Sequence, residues 1–433
     1  MTLVWQILAA VLFFALILVS VGLHELGHFI PSKLFGVKVR QFFIGFGKTL
    51  WSRQRGETEY GVKLLPLGGY VSLVGMVPPY REGKNTWLKR LADSSREGEW
   101  EQITEEEASS GRLFYQRPVW QRLIVMAAGV TMNLVLAFCL FLGVNLSYGQ
   151  YQNSQTVARV AECVDAAAAV CEPTPAALAG LAAGDTLLGL NGVRYATWAD
   201  FSAALRANVA LPAGAAVSEA VALPVSLLID RPGVGELTLP TVPGAVGWAA
   251  DPNDASAVLP IGYLGVVIGR ERVRVGPLDT AAQMFSLVGQ AAQAIVRLPK
   301  STFEATVGLV SGAPRDESGP ISVVGAARVA GEVAAVDAPL SAKIATYVSL
   351  LASINLFVAV LNLVPLLPFD GGHIAAALWE ALRRAAARRR GKPDPGPVDS
   401  AKLLPVAYVV GGLLVLMGAI LIVADIFNPV QLF

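Results

Sequence analysis

The chain has 433 residues, of which 54% are apolar and 15% charged, with a formal net charge of +1. That balance excludes an ordinary soluble domain and predicts a membrane class, and the near-zero charge gives no ground for a nucleic-acid partner. The length allows two or three folding units.

Residues 1–32 are predicted as the first transmembrane helix. Its apolar run, Trp5 to Leu26, exceeds the ~20 helical residues that cross a bilayer core. No basic region precedes the run and no small-residue cleavage pattern follows it, so it reads as a retained helix rather than a signal peptide. Pro31 and Gly36 are expected to close it. Residues 33–117 read as a cytoplasmic, membrane re-entrant β region, with extended stretches broken at Gly45-Phe46-Gly47 and again from Tyr60 to Val74. Within it, Gly61 to Tyr70 is expected to form a hairpin that dips into a cavity of the protein itself. Residues 81–116 are charged and read as a solvated, mobile segment.

Residues 118–148, with the apolar run Leu123 to Leu146, are the second predicted span. A compact domain is expected over 154–243. There Ala179 to Gly192 alternates turn glycines with a short apolar strand, an amphipathic run covers Trp198 to Leu205, and strands follow near Val225 to Ile229 and Glu236 to Leu239. That order resembles a bacterial PDZ domain. Residues 244–343 are expected to be membrane-associated, with helices around Ala281 to Arg297 and Val323 to Val336. The third span is placed in 344–373, with the apolar run Ala345 to Leu367, and a cytoplasmic connector in 374–402. The fourth span is 403–425.

Lys and Arg number 15 in residues 31–122, 12 in 149–343 and 7 in 371–402. The middle segment is the poorest per residue, so the positive-inside tendency puts the other two in the cytoplasm and leaves the middle segment and both termini outside. Cys163 and Cys171 fall in the outside segment, where a disulfide between them would persist.

His24-Glu25-Leu26-Gly27-His28 is an HExxH motif. Histidines four apart share one helical face and can present two imidazoles to one zinc, with Glu25 beside the metal as general base. Three ionisable residues at the end of an apolar run need a functional reason. A catalytic zinc takes three protein ligands and leaves a position open, and Asp370, at the cytoplasmic end of the third span, is the third donor expected at the same depth. His373 is the weaker choice as a fourth ligand, because a closed site would exclude the reacting water. Asn362 is either a helix-to-helix hydrogen-bonding residue or a contact to the peptide backbone or developing oxyanion. Leu67-Gly68-Gly69 can pair its backbone with an incoming chain by strand addition.

Together these residues resemble the site-2 protease family of intramembrane zinc metalloproteases. The resemblance covers nearly the whole chain, through the HExxH helix, Gly45-Phe46-Gly47, Leu67-Gly68-Gly69, Gly319 to Gly325 and the Asp370-Gly-Gly-His373 block. It is strongest to actinobacterial members with a single PDZ domain, and it departs from the members that have two. It implies a polytopic α-helical membrane protein of four transmembrane helices, with a membrane-associated β-hairpin and an extracytoplasmic α+β PDZ domain, in the cytoplasmic membrane of a bacterium. It also implies one catalytic Zn2+ on His24, His28 and Asp370 with Glu25 as base. The implied partners are membrane lipid and single-pass transmembrane substrates, such as anti-sigma factors already trimmed outside. A membrane-anchored PDZ scaffold with structural zinc and a metal transporter are the competing classes.

Overall fold

The computed structural model describes residues 2–79, 96–98, 100–164, 171–211, 219–250, 258–313, 315 and 319–430. In chain order the elements are helix α1 (Thr2–Leu34), strands β1 (Val39–Arg55) and β2 (Thr58–Leu73), and helices α2 (Glu105–Ser109) and α3 (Val119–Ser147). Next come strands β3 (Gln150–Val160) and β4 (Thr186–Leu190), helix α4 (Trp198–Arg206), and strands β5 (Leu227–Arg231), β6 (Gly235–Thr238) and β7 (Val266–Val273). The chain ends with helices α5 (Pro277–Ser311), α6 (Val323–Ala335), α7 (Leu340–Asn362), α8 (Asp370–Arg389) and α9 (Leu404–Phe427). Contacts divide these into two compact units, Met1–Tyr148 with Val275–Phe433, and Gly149–Arg274.

In the first unit four helical segments among the described residues are long and apolar enough to cross a membrane: Val4–Leu34, Val119–Ser147, Leu340–Asn362 and Ser400–Phe427. Lipid tails are as apolar as leucine, so helices in a membrane associate by close packing rather than by escape from water. The contacts follow that rule, with Ala330 and Ala352 fully buried and Phe13 and Ile17 seated against Ala330 and Leu351. Ala137 and Phe141 of α3 meet Ala352 and Leu356 of α7. Asn355 of α7 donates to Ser20 Oγ of α1 at 3.1 Å, a buried polar tie one helical turn before His24.

Pro31 does not end α1, which runs on to Leu34. A proline in the last turns removes only one late hydrogen bond, and the stop comes at Gly36, whose φ of +70° lets Val37 N–H return to Ser32 O. Residues 61–70 likewise are not a hairpin of their own. They lie inside β2, which pairs with β1 in three stretches: 49–55 lie opposite 58–63, 41–44 lie opposite 59–62, and 39–44 lie opposite 69–73. Phe43 faces both Gly61 and Tyr70, so the first half of β1 has β2 on either edge.

The turn between β1 and β2 is fastened by Glu57, which accepts from Arg112 at 2.8 Å and from Lys33 at 2.7 Å. Arg112 first and then Lys33 hold its carboxyl down to about 2. Residues 100–116 are therefore more built-in than a solvated segment. α2 carries a capping box on Thr104, and Leu113 and Phe114 are buried. The rest of that expectation, residues 81–95 and 99, lies outside the described residues.

The third span ends earlier than the sequence suggests. α7 stops at Asn362 because Pro365 and Pro368 cannot continue a helix and push their predecessors out of helical dihedrals. Asp370 therefore opens a separate helix, α8, and most of the expected connector is that helix.

In the second unit the sheet order is β7-β3-β4-β5-β6, with Phe201 and Leu205 of α4 buried in a core of Val157, Leu187, Leu190, Leu227 and Ile229. Its extent corrects the expected 154–243. β7 pairs with β3 from Val266 opposite Val160 to Val273 opposite Gln150, so the unit closes only at Arg274. Buried Asp185 accepts from Arg231 at 2.9 and 2.7 Å and from Ala182 N–H at 2.9 Å, so its carboxylate lies below the usual range, chiefly through Arg231. A disulfide joins Cys163 to Cys171.

Candidate active site

The site forms where α1 crosses α3. A Cβ on Gly27 would lie 2.7 Å from Ala128 O, and one on Gly129 would lie 2.2 Å from His28 Nε2. Only glycine at both positions lets the helices approach this closely and leaves room for the imidazole. His24 and His28 are both buried, and their rings meet edge to face with centroids 4.9 Å apart. His28 Nδ1 lies 2.8 Å from the Val125 carbonyl oxygen. A carbonyl only accepts, so Nδ1 carries the proton and Nε2 presents its lone pair to the site.

The third donor arrives from the turn after α7. Asp370 is the first residue of α8, where the helix N-terminus favours an anion. The glycines that follow it are a packing requirement. A Cβ on Gly371 would lie 2.3 Å from Val364 O, and one on Gly372 would lie 2.6 Å from Leu367 N. The turn 363–367 thus lies directly on the start of α8 and fixes where Asp370 points.

His24 Nε2 and His28 Nε2 are 3.3 Å apart, and Asp370 Oδ2 lies 3.4 Å from the first and 3.3 Å from the second. The fit to zinc can be tested on those edges. Ligand bonds of ~2.0–2.1 Å in a tetrahedron put donor atoms about 3.3–3.4 Å apart, which is the triangle present here. Asp370 Oδ2 is buried with no hydrogen-bond partner among the described residues, an arrangement that is costly unless a cation completes it. The donor set of two imidazoles and one carboxylate is also one zinc accepts. The residues fit.

Residues 12–393 match Peptidase family M50. The chain belongs to this family. It is similar to the zinc metalloprotease Rip1 of Mycobacterium tuberculosis, 34% identical over 440 residues covering 98% of each chain. It is equally similar to Rip1 of Mycolicibacterium smegmatis, 34% identical over 443 residues and again 98% of each. The metalloprotease MmpA of Caulobacter vibrioides is 27% identical over 383 residues, 86% of each chain.

Around the triangle in this M50 chain, Glu25 is partly buried and is reached by the Val71 backbone amide. Gly69 lies against it, since a Cβ there would sit 2.9 Å from Glu25 Cγ. Asn362 comes to the site, with Nδ2 3.5 Å from His24 Nε2. Gly68 is one residue earlier in β2, packed against the Phe46 ring, and Leu67 precedes it in the same strand. His373 is not in the donor group. It lines a small cavity of about 30 Å3 with Arg122, Glu380, Tyr115 and Ser400.

Sequence reasoning missed the Gly27–Gly129 crossing, the Val125 carbonyl and Asn133. Asn133 lies one helical turn beyond Gly129, is 2% exposed and has no partner for Oδ1 among the described residues. A signal existed, because a glycine and an asparagine four residues apart in an apolar span share a face. The carbonyl has no side-chain signature at all.

Proposed function

We propose that the chain is an intramembrane zinc metalloprotease that hydrolyses peptide bonds within or near the membrane-spanning segments of single-pass membrane proteins. The observation that carries this is the triangle of His24, His28 and Asp370 with edges of 3.3 to 3.4 Å, with Glu25 next to it on the same helix. These three side chains would hold one zinc. When bound, the ion supplies Lewis acidity that brings the pKa of water toward ~7 and polarises a peptide carbonyl.

The remaining work falls to the chain. The Glu25 carboxylate takes the proton from the attacking water and returns it to the amine nitrogen of the broken bond. The Val125 carbonyl keeps the His28 proton on Nδ1, so the imidazole does not rotate as charge develops. Asn362, whose amide lies at 3.5 Å from His24 Nε2, donates to the substrate carbonyl oxygen as it becomes negative. A helical substrate hides its carbonyls in its own hydrogen bonds and must unwind to be cut. Leu67, Gly68 and Gly69 receive the unwound stretch by strand addition, and the closeness of Gly69 to Glu25 brings that backbone to the base.

The substrates fitting this reading are pre-trimmed, anti-sigma-factor-like proteins. The unit 149–274 is read as an extracytoplasmic PDZ domain, supported by its five-strand order and the packing of α4 on it. Both termini are read as extracytoplasmic in a bacterial cytoplasmic membrane. A scaffold with structural zinc needs a fourth donor, and the donor group among the described residues has three members.

The test is cleavage of a trimmed single-pass substrate by the purified full chain, with zinc measured on each variant. Glu25→Gln is expected to keep about one zinc per chain and lose at least ~100-fold in rate. His28→Ala is expected to lose the zinc. Normal turnover by Glu25→Gln would remove the assigned mechanism.

A further inference from the structure

Helix α8 has two faces of opposite character. One is held inside the protein. Ala377 is buried, and Glu380, fully buried, accepts from Arg122 of α3, from Arg384 at 3.0 Å and from Val398 N–H at 2.9 Å. The other face carries Leu378, Trp379 and Leu382, which are 48%, 60% and 64% exposed and share a side at helical spacing. In water such a patch would be a liability. In a chain with membrane-crossing helices it has a natural solvent, the boundary between acyl chains and headgroups where tryptophan concentrates.

The charge at the end of the helix completes the pattern. Arg388, Arg389, Arg390 and Lys392 are all exposed and make no ion pair among the described residues. Their neighbours Arg383 and Arg384 are already engaged, by the Pro395 and Gly396 carbonyls and by Glu380 and Asp394. One or two cations satisfy the negative end of a helix, so four unpaired ones exceed that need. From Trp379 to Arg389 the helix rises about 15 Å, which carries the chain from an interfacial aromatic anchor to a cationic end.

We propose that α8 is an interfacial helix whose terminal cluster, Arg388, Arg389, Arg390 and Lys392, binds the headgroups of anionic phospholipids while Leu378, Trp379 and Leu382 lie in the acyl boundary. The ligand is a lipid phosphate carrying net negative charge, and the complementarity is electrostatic and worth more at low salt. The proposal rests on the reading that the apolar helices cross a bilayer. Because α8 begins at Asp370, the same surface sets the depth of the helix that carries a residue of the candidate site.

The experiment uses the full chain reconstituted in phosphatidylcholine vesicles containing spin-labelled phosphatidylglycerol or spin-labelled phosphatidylcholine, and compares the protein-restricted fractions of the two labels. Vesicle flotation is scored separately, so a chain that fails to insert counts against the spanning reading and not against the lipid site. The wild type is expected to favour phosphatidylglycerol by about threefold or more. Replacing the four basic residues by glutamine is expected to bring the ratio near one, replacing the three arginines by lysine should retain it, and about 0.5 M salt should lower it. A wild-type ratio of one, or an unchanged preference in the glutamine variant, would overturn the proposal. Abolition of the preference by inorganic phosphate at constant ionic strength would reassign the cluster to free phosphate and overturn the lipid assignment.

Discussion

The strand-rich unit and the candidate site treat a buried carboxylate in opposite ways. In 149–274 Asp185 has its valences met, twice by Arg231 and once by a backbone amide. In the helical unit Asp370 Oδ2 and His24 Nδ1 are buried with no hydrogen-bond partner among the described residues. A met carboxylate holds architecture together, whereas an unmet one beside two imidazoles is held ready for something the chain does not itself supply. The helical unit contains both kinds, since Glu380 is fully buried with three partners in the wall of the cavity that it lines with His373.

The sharpest way to break that contrast is to disturb the unmet site without touching a donor. Gly129→Ala would place a Cβ 2.2 Å from His28 Nε2, and neither helix can give way without parting the crossing. Zinc affinity is expected to fall at least ~10-fold, measured as metal content during dialysis against a graded chelator. A variant that keeps zinc as the wild type does would show that the crossing does not set the imidazole.

A smaller effect is expected from the met pair in the same unit. Arg122→Met leaves Glu380 buried with Arg384 and the Val398 amide alone, at a cost of about 3 kcal/mol. Thermal unfolding in detergent reads it, and adding Glu380→Leu should restore part of the loss, because removing a buried charge together with its partner relieves the penalty. If the double variant is the less stable of the two, the pair contributes more than its desolvation costs.

The smallest effect is the pH response of the strand-rich unit. Arg231 lowers the Asp185 carboxyl in the fold, so its contribution is complete above the unfolded value of ~3.9 and is lost as pH falls through the lower, folded value. Hydrogen exchange at β4 and β5 in the full chain should quicken only on that acid side, and Asp185→Asn should flatten the dependence. Acceleration near neutral pH would point to a different group.

What could be read from the sequence depended on whether the information was local. The HExxH face follows from the helical period, and the four apolar stretches from bilayer thickness, because each is a property of one contiguous segment. The end of α7 was misplaced because apolar content continues through Leu363 to Leu367 after the prolines have already ended the helix. β7 was left out of its unit because membership depends on a partner strand a hundred residues earlier, which no local pattern encodes. Asp370 was singled out by its depth, but its support by Gly371 and Gly372 against the turn 363–367 is a backbone contact that composition does not carry.

The residues of the candidate site are drawn from segments far apart in the sequence. Asn362 follows His24 by 338 residues, and Asp370 lies beyond it. At a synthesis rate of about 5–20 residues per second, roughly 20 to 70 s pass between the emergence of the two histidines and that of the carboxylate. For all of that interval the nascent chain carries two imidazoles of the triangle without its carboxylate. The donor triangle is thus complete only once the start of α8 has been made.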